Sequence, residues 1–207
     1  MAKITGQEEL LPEKVLLLYQ TIGLYIEEKA DFNTLKVADI AKRAEIGKGT
    51  VYEYFETKED LIALAFFFNL KLQVVKIKNE LNQVDGFEAK LACIFHMLDS
   101  EISNREYMMQ FFRMTSEVST INHKLHMFME ENKGKTNMPI GIIVQIVEEI
   151  CAQKGITDLA VQEYLVYEIC SKLVGYLFWV YDDSKSKYMT REMMQERLIK
   201  TILSQIE

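Results

Sequence analysis

Proline and glycine, the residues that most often interrupt helices, are scarce here: two prolines and nine glycines in 207 residues. Pro12 and Pro139 both stand where a helix can begin, because the ring is tolerated in a first helical turn. Cys93, Cys151 and Cys170 are odd in number, far apart and without a C-x-x-C pair. That excludes a disulfide framework and a zinc knuckle, and it suits a reducing compartment, the cytoplasm. The opening MAKITGQEELLPEK has no basic segment leading into an apolar core and a cleavage site, so no secretory signal is read. Uninterrupted apolar runs are also lacking: the most apolar later stretch, 164–181, is broken by Glu168 and Lys172, which argues for buried helix and against a membrane span. Excess positive charge is missing as well. The net charge is −7, the opposite of what a simple nucleic-acid binder carries.

What is present is apolar helix. Apolar residues make up 49% of the chain, enough for a substantial core, and no strand-like alternation persists. The spacing of Val15, Leu18, Tyr19, Ile22 and Ile26 predicts a first helix over 12–29.

Residues 37–61, VADIAKRAEIGKGTVYEYFETKEDL, read as two short helices joined by a tight turn and followed by the capped start of a longer one. In the first, Val37, Ile40, Ala41 and Ala44 mark the buried side, with Thr34 as its expected N-cap. Glu45, Ile46 and Gly47 form the turn. The second helix is expected over 48–55, with Val51 and Phe55 anchored inward and Lys48, Gly49, Thr50, Tyr52 and Tyr54 facing outward or sideways. Thr57 and Asp60 form a capping box for the next helix. Lys58 sits in that first turn, where a cation is disfavoured by the helix dipole, and a nearby phosphate would explain it. Local charge alone is uninformative: between Lys36 and Lys58 five bases face four acids.

This pattern resembles the TetR family of bacterial transcriptional regulators. The resemblance rests on Asp39-Ile40-Ala41, Ala44, Ile46, Lys48-Gly49-Thr50-Val51-Tyr52, Tyr54-Phe55 and Lys58-Glu59-Asp60-Leu61, and covers the N-terminal quarter of the chain. It implies an all-α protein with a three-helix helix-turn-helix DNA-binding domain over 1–57 and a helical ligand-binding and dimerisation domain over 58–207. It further implies a homodimer that places two recognition helices on a double-stranded DNA operator and is released by a small-molecule effector. Carried onto this sequence, Thr34, Lys36, Thr50, Tyr52, Tyr54 and Lys58 are the expected DNA contacts beside Lys48 and Gly49, which lie nearest the bases. The family often has glycine where this chain has Glu45 and serine where it has Gly47. A positive φ at Glu45 would cost roughly 1 kcal/mol.

Beyond residue 61 helix continues to about residue 82. Further helices are read from residue 86, over 105–133, 139–154 and 159–181, and from about 191. Methionine and aromatic residues concentrate in the central part, where adaptable side chains suit an apolar ligand. The expected ligand contacts are Phe95, His96, Met109, Phe112, Met127 and Tyr167. The last two helices are apolar on more than one face, which a symmetric partner would bury, and Tyr176, Trp179, Leu198 and Ile202 are the expected interface residues.

Other chemistry finds little support. Gly134-Lys135-Thr136 lacks the glycine five positions earlier, where Met129 stands, so a phosphate loop is rejected. His123, His126 and Glu130 are read as a solvated helix face rather than metal ligands, and no nucleophile has an identifiable base, so no enzyme, metal or cofactor is expected. The competing reading is a helical dimeric binding or scaffolding module whose hairpin does not read DNA, suggested by the acidic balance and Glu45.

Overall fold

The stripe read at the start of the chain is the inner face of α1 (Glu13–Glu27): Val15, Leu18, Tyr19, Ile22 and Ile26 are fully buried. The computed structural model describes residues 11–100, 102–116, 119–131, 138–181 and 188–206, which form helices and no strand. The readings made at residues 1–10 and at Gly134-Lys135-Thr136 lie outside the described residues. After α1 come α2 (Val37–Arg43), α3 (Lys48–Tyr54), α4 (Lys58–Leu81), α5 (Phe87–Ser100), α6 (Ile102–Ser116), α7 (Thr120–Glu131), α8 (Pro139–Lys154), α9 (Leu159–Tyr181) and α10 (Arg191–Leu203). The helical region expected over 105–133 is thus two helices. Ser119 marks the second start, its hydroxyl accepting the Asn122 N–H at 3.1 Å.

The helices gather into two compact units, Met1–Leu72 with Glu106–Gly134, and Gln73–Arg105 with Lys135–Glu207. This packing boundary runs through α4 at Leu72, whereas the functional division expected from the motif lies at residue 57.

In the first unit, Tyr19 of α1 meets Phe55 and Phe68 at ring distances of 6.0 and 5.2 Å. Asn69 of α4 is buried and donates to the Tyr19 carbonyl at 2.8 Å, fixing α4 along α1. Gly23 permits the approach of α6, since a Cβ there would stand 2.7 Å from the Tyr107 hydroxyl.

In the second unit, α8 begins with Pro139 in its first turn and ends at Gly155, whose φ of 71° closes the helix in the left-handed conformation. Phe95 of α5 packs edge-on against Tyr176 of α9 at 5.0 Å. The Tyr176 hydroxyl donates to Asp99 at 2.7 Å, and Gln195 of α10 donates to that hydroxyl at the same distance. One polar knot therefore joins α5, α9 and α10.

Candidate nucleic-acid interface

Two turns set the entry and exit of α2, and both use the same device. At the end of α1 the Ala30 N–H reaches the Tyr25 carbonyl at 2.9 Å and the Lys29 N–H reaches Ile26. At the end of α2 the Ile46 N–H reaches Ala41 at 2.9 Å and the Glu45 N–H reaches Lys42. These are Schellman closures, which require a left-handed residue. Lys29 and Glu45 supply it at φ 59° and 54°, where glycine would be strain-free. The positive φ considered for Glu45 is real, and it redirects the chain into α3.

Thr34 does not cap α2. Its hydroxyl donates to the Asp31 carbonyl at 3.1 Å, and the cap position belongs to Lys36, with extended backbone and no side-chain bond. Thr34 and Lys36 are both exposed.

On α3, Val51 and the following Phe55 are buried, while Lys48, Gly49 and Tyr52 are exposed and Thr50 and Tyr54 are partly covered. Tyr52 is 50% exposed, a large ring left in water beside a lysine. Gly49 sits in helical backbone, and a Cβ there would meet nothing within 4 Å. Packing within the chain therefore gives no reason for glycine in this helix, where it costs about 1 kcal/mol relative to alanine. Arg43, by contrast, is spent: its guanidinium grips Glu28 with two bonds of 2.6 and 2.7 Å and lies over the Tyr25 ring. That pairing holds the Glu28 carboxyl below its usual pKa, chiefly through the hydrogen bond from Arg43.

The capping box at α4 is present as read. The Thr57 N–H donates to Asp60 at 3.0 Å, and the Asp60 N–H returns to the Thr57 hydroxyl at 3.1 Å. Lys58 needs a different account from the one its position suggested. Its ammonium turns back to the Phe32 and Asn33 carbonyls, both at 3.1 Å, so the loop after α1 accounts for the lysine without a phosphate.

One participant escaped sequence reasoning. Lys124 of α7 pairs with the second oxygen of Asp60, so the carboxylate that caps α4 is also held from α7. Burial alone would raise the Asp60 pKa, but Lys124 and Thr57 outweigh it and the net shift is downward. No signal in the sequence links positions 64 residues apart.

Of the expected ligand contacts, Phe95, His96 and Tyr167 lie in the second unit, and Met109, Phe112 and Met127 in the first. Phe95 and Met109 are buried and Phe112 partly so, whereas His96 is exposed and Met127 and Tyr167 are 50% and 68% exposed. Among the expected interface residues, Tyr176 and Ile202 are buried within the chain itself, and Trp179 and Leu198 are partly exposed. His123 and His126 are exposed on α7, and no three potential metal ligands converge among the described residues. No described helix is long and apolar enough to cross a membrane.

Residues 28–65, which span the loop before α2, both short helices and the start of α4, match the family described as bacterial regulatory proteins, tetR family. The helix-turn-helix is a tetR-family one. No curated protein matches the chain in sequence. Among solved structures, this chain resembles the transcriptional regulator FadR from Bacillus subtilis in complex with stearoyl-CoA, with a TM-score of 0.65 and 17% identity over 93% of this chain and 99% of that one. It also resembles the fatty acid degradation regulator FadR from Bacillus halodurans, with a TM-score of 0.63 and 19% identity over 93% and 95%. The likeness in fold extends well beyond the matched segment.

Proposed function

We propose that the chain is a homodimeric transcriptional repressor that binds a double-stranded DNA operator and is released by a small, largely apolar effector. The functional division is at residue 57, with the reader before it. The observation that carries the reading is the outer face of α3: Lys48, Gly49 and Tyr52 stand exposed on a helix pinned by Val51 and Phe55. Lys48 and Gly49 serve the bases, and Thr50, Tyr52 and Tyr54 serve the phosphates, with Thr34 and Lys36 flanking. Lys58 acts chiefly by holding the loop after α1.

The dimer is assigned to α9 and α10. Tyr164, Tyr167, Ser171, Gly175 and Phe178 recur at helical spacing on α9, all exposed, and a Cβ at Gly175 would meet nothing within 4 Å. A second copy laid along this stripe buries apolar surface, and the glycine allows close approach. Tyr167 then belongs with the interface, beside Trp179 and Leu198, while Tyr176 and Ile202 support it from within. Among the expected effector contacts the inward one in the second unit is Phe95, and in the first unit, taken by itself, Met109 is inward and Phe112 partly so. The stearoyl-CoA held by the B. subtilis FadR makes an acyl chain the first effector to try.

The test is gel shift with DNA flanking the protein's own gene, without and with acyl-CoA. Expected are a retarded complex, its loss on adding stearoyl-CoA, and its loss in Tyr52→Ala with dimer mass retained. Absence of any complex at low salt would favour the scaffolding module.

A further inference from the structure

Two points of the reader, the end of α1 and the start of α4, are each gripped by a later helix of the same compact unit. At the end of α1, Lys29 pairs at 3.2 Å with Glu106 of α6, whose side chain is 3% exposed. The next residue of α6, Tyr107, lies so close to α1 that a Cβ on Gly23 would stand 2.7 Å from its hydroxyl. At the start of α4, Asp60 pairs with Lys124 of α7, and both side chains are largely covered. A pair under such cover is screened by salt less than one on the open surface, and removing one partner leaves the other charge poorly solvated.

The two grips are joined to each other. Asn122 of α7 donates its side-chain amide to the Met114 carbonyl of α6 at 2.6 Å and its N–H to the Ser119 hydroxyl, which braces the corner between these helices. On the reader's side, the Lys58 ammonium donates to the Phe32 and Asn33 carbonyls, so the loop that follows Lys29 is tied to the helix that Asp60 caps. Links therefore run from α6 through the end of α1 and the start of α4 to α7, and through the corner back to α6.

Between the two anchored residues, Lys29 and Asp60, the chain contains α2 and α3. Each is only 7 residues long, too short to be stable without outside support. After α3 only Phe55, Glu56 and Thr57 intervene before α4, so the direction of α3 depends on how the capping box is held. We infer that Lys124 and Glu106 are positioning residues for DNA reading: by holding Asp60 and Lys29 they fix the direction in which α3 presents Lys48, Gly49 and Tyr52. This inference rests on the operator reading, in which neither residue touches DNA.

Single variants of the full chain test it. Lys124→Gln removes the charge, Lys124→Arg keeps it, and Ile22→Val trims the buried core of the same unit without altering either pair. The first readout needs no DNA: hydrogen exchange, followed by NMR, of the Val51 amide and of the Phe55 amide, which bonds the Val51 carbonyl at 3.0 Å. Lys124→Gln is expected to speed exchange at these amides about tenfold and clearly more than Ile22→Val does, with Lys124→Arg returning it to the wild-type rate. On DNA flanking the gene, Lys124→Gln should bind about tenfold more weakly, whereas Ile22→Val should stay within about twofold of wild type. Glu106→Gln should act as Lys124→Gln does, and it carries the comparison if the latter fails to fold. Should the wild-type chain bind no flanking DNA, the operator reading fails and exchange alone decides whether α3 is held from α6 and α7. The inference is overturned if Ile22→Val speeds exchange at Val51 and Phe55 as much as Lys124→Gln, if Lys124→Arg does not restore it, or if Lys124→Gln binds DNA as wild type does.

Discussion

Helices α3 and α9 each carry a glycine in helical backbone with open space where its side chain would be, and the two differ in what surrounds it. Around Gly49 the exposed neighbours are Lys48, Tyr52 and Glu53; around Gly175 they are Ser171 and Phe178, with Tyr164 and Tyr167 continuing the line. Polar groups with a lysine suit a hydrated anionic partner, whereas an apolar stripe suits a copy of itself. Gly23 is the contrasting case, because its missing side chain is explained inside the chain by Tyr107 and Asn69. A bare glycine thus acquires meaning only once the structure reveals whether its neighbour is internal or absent.

The sharpest way to break this comparison is to put charge on the apolar stripe. Phe178→Glu is expected to weaken dimerisation by about a hundredfold or more, since symmetry buries the change twice. Analytical ultracentrifugation should then find monomer with its helical circular dichroism intact.

Alanine at the three glycines separates internal from external reasons. Gly23→Ala forces its new methyl against Tyr107 and should destabilise the protein by roughly 1–3 kcal/mol in urea unfolding. Gly49→Ala should instead add up to about 1 kcal/mol of stability while weakening DNA binding. Gly175→Ala should stabilise the helix to a similar extent and loosen the dimer. Equal stability changes at all three sites would remove the distinction.

A smaller effect concerns the start of α4. Asp60 has a folded pKa below its ordinary value, so its contribution is present above about pH 4 and disappears as pH falls through the lowered folded value. Asp60→Asn should cost about 1 kcal/mol at neutral pH and flatten that acid limb, and Lys124→Gln should flatten it similarly. Chemical denaturation at a series of pH values would measure this.

Much of the fold was legible because it is local. Apolar spacing located the helices, Thr57 with Asp60 announced α4, and Gly155 closed α8. Local reasoning failed where a residue had two plausible partners. Thr34 bonds Asp31 rather than capping α2, and Lys58 reaches back to carbonyls 25 and 26 residues earlier. The separation of α6 from α7 was missed because neither proline nor glycine marks it, only the hydroxyl of Ser119. The buried Tyr176 looked like an interface anchor because apolarity does not say which side of a helix meets its own chain. Its bonds to Asp99 and Gln195 settle the inward direction.

The central claim is that the outer face of α3 meets DNA through few, well-placed cations on an acidic protein. Fluorescence anisotropy of wild type and Lys48→Ala on the flanking DNA, repeated across a salt series, tests it most directly. Wild-type affinity should fall linearly with salt in log–log form, and Lys48→Ala should weaken binding by about 1–3 kcal/mol at preferred sequences, as loss of a base contact does. An unchanged affinity and slope in Lys48→Ala would contradict the account.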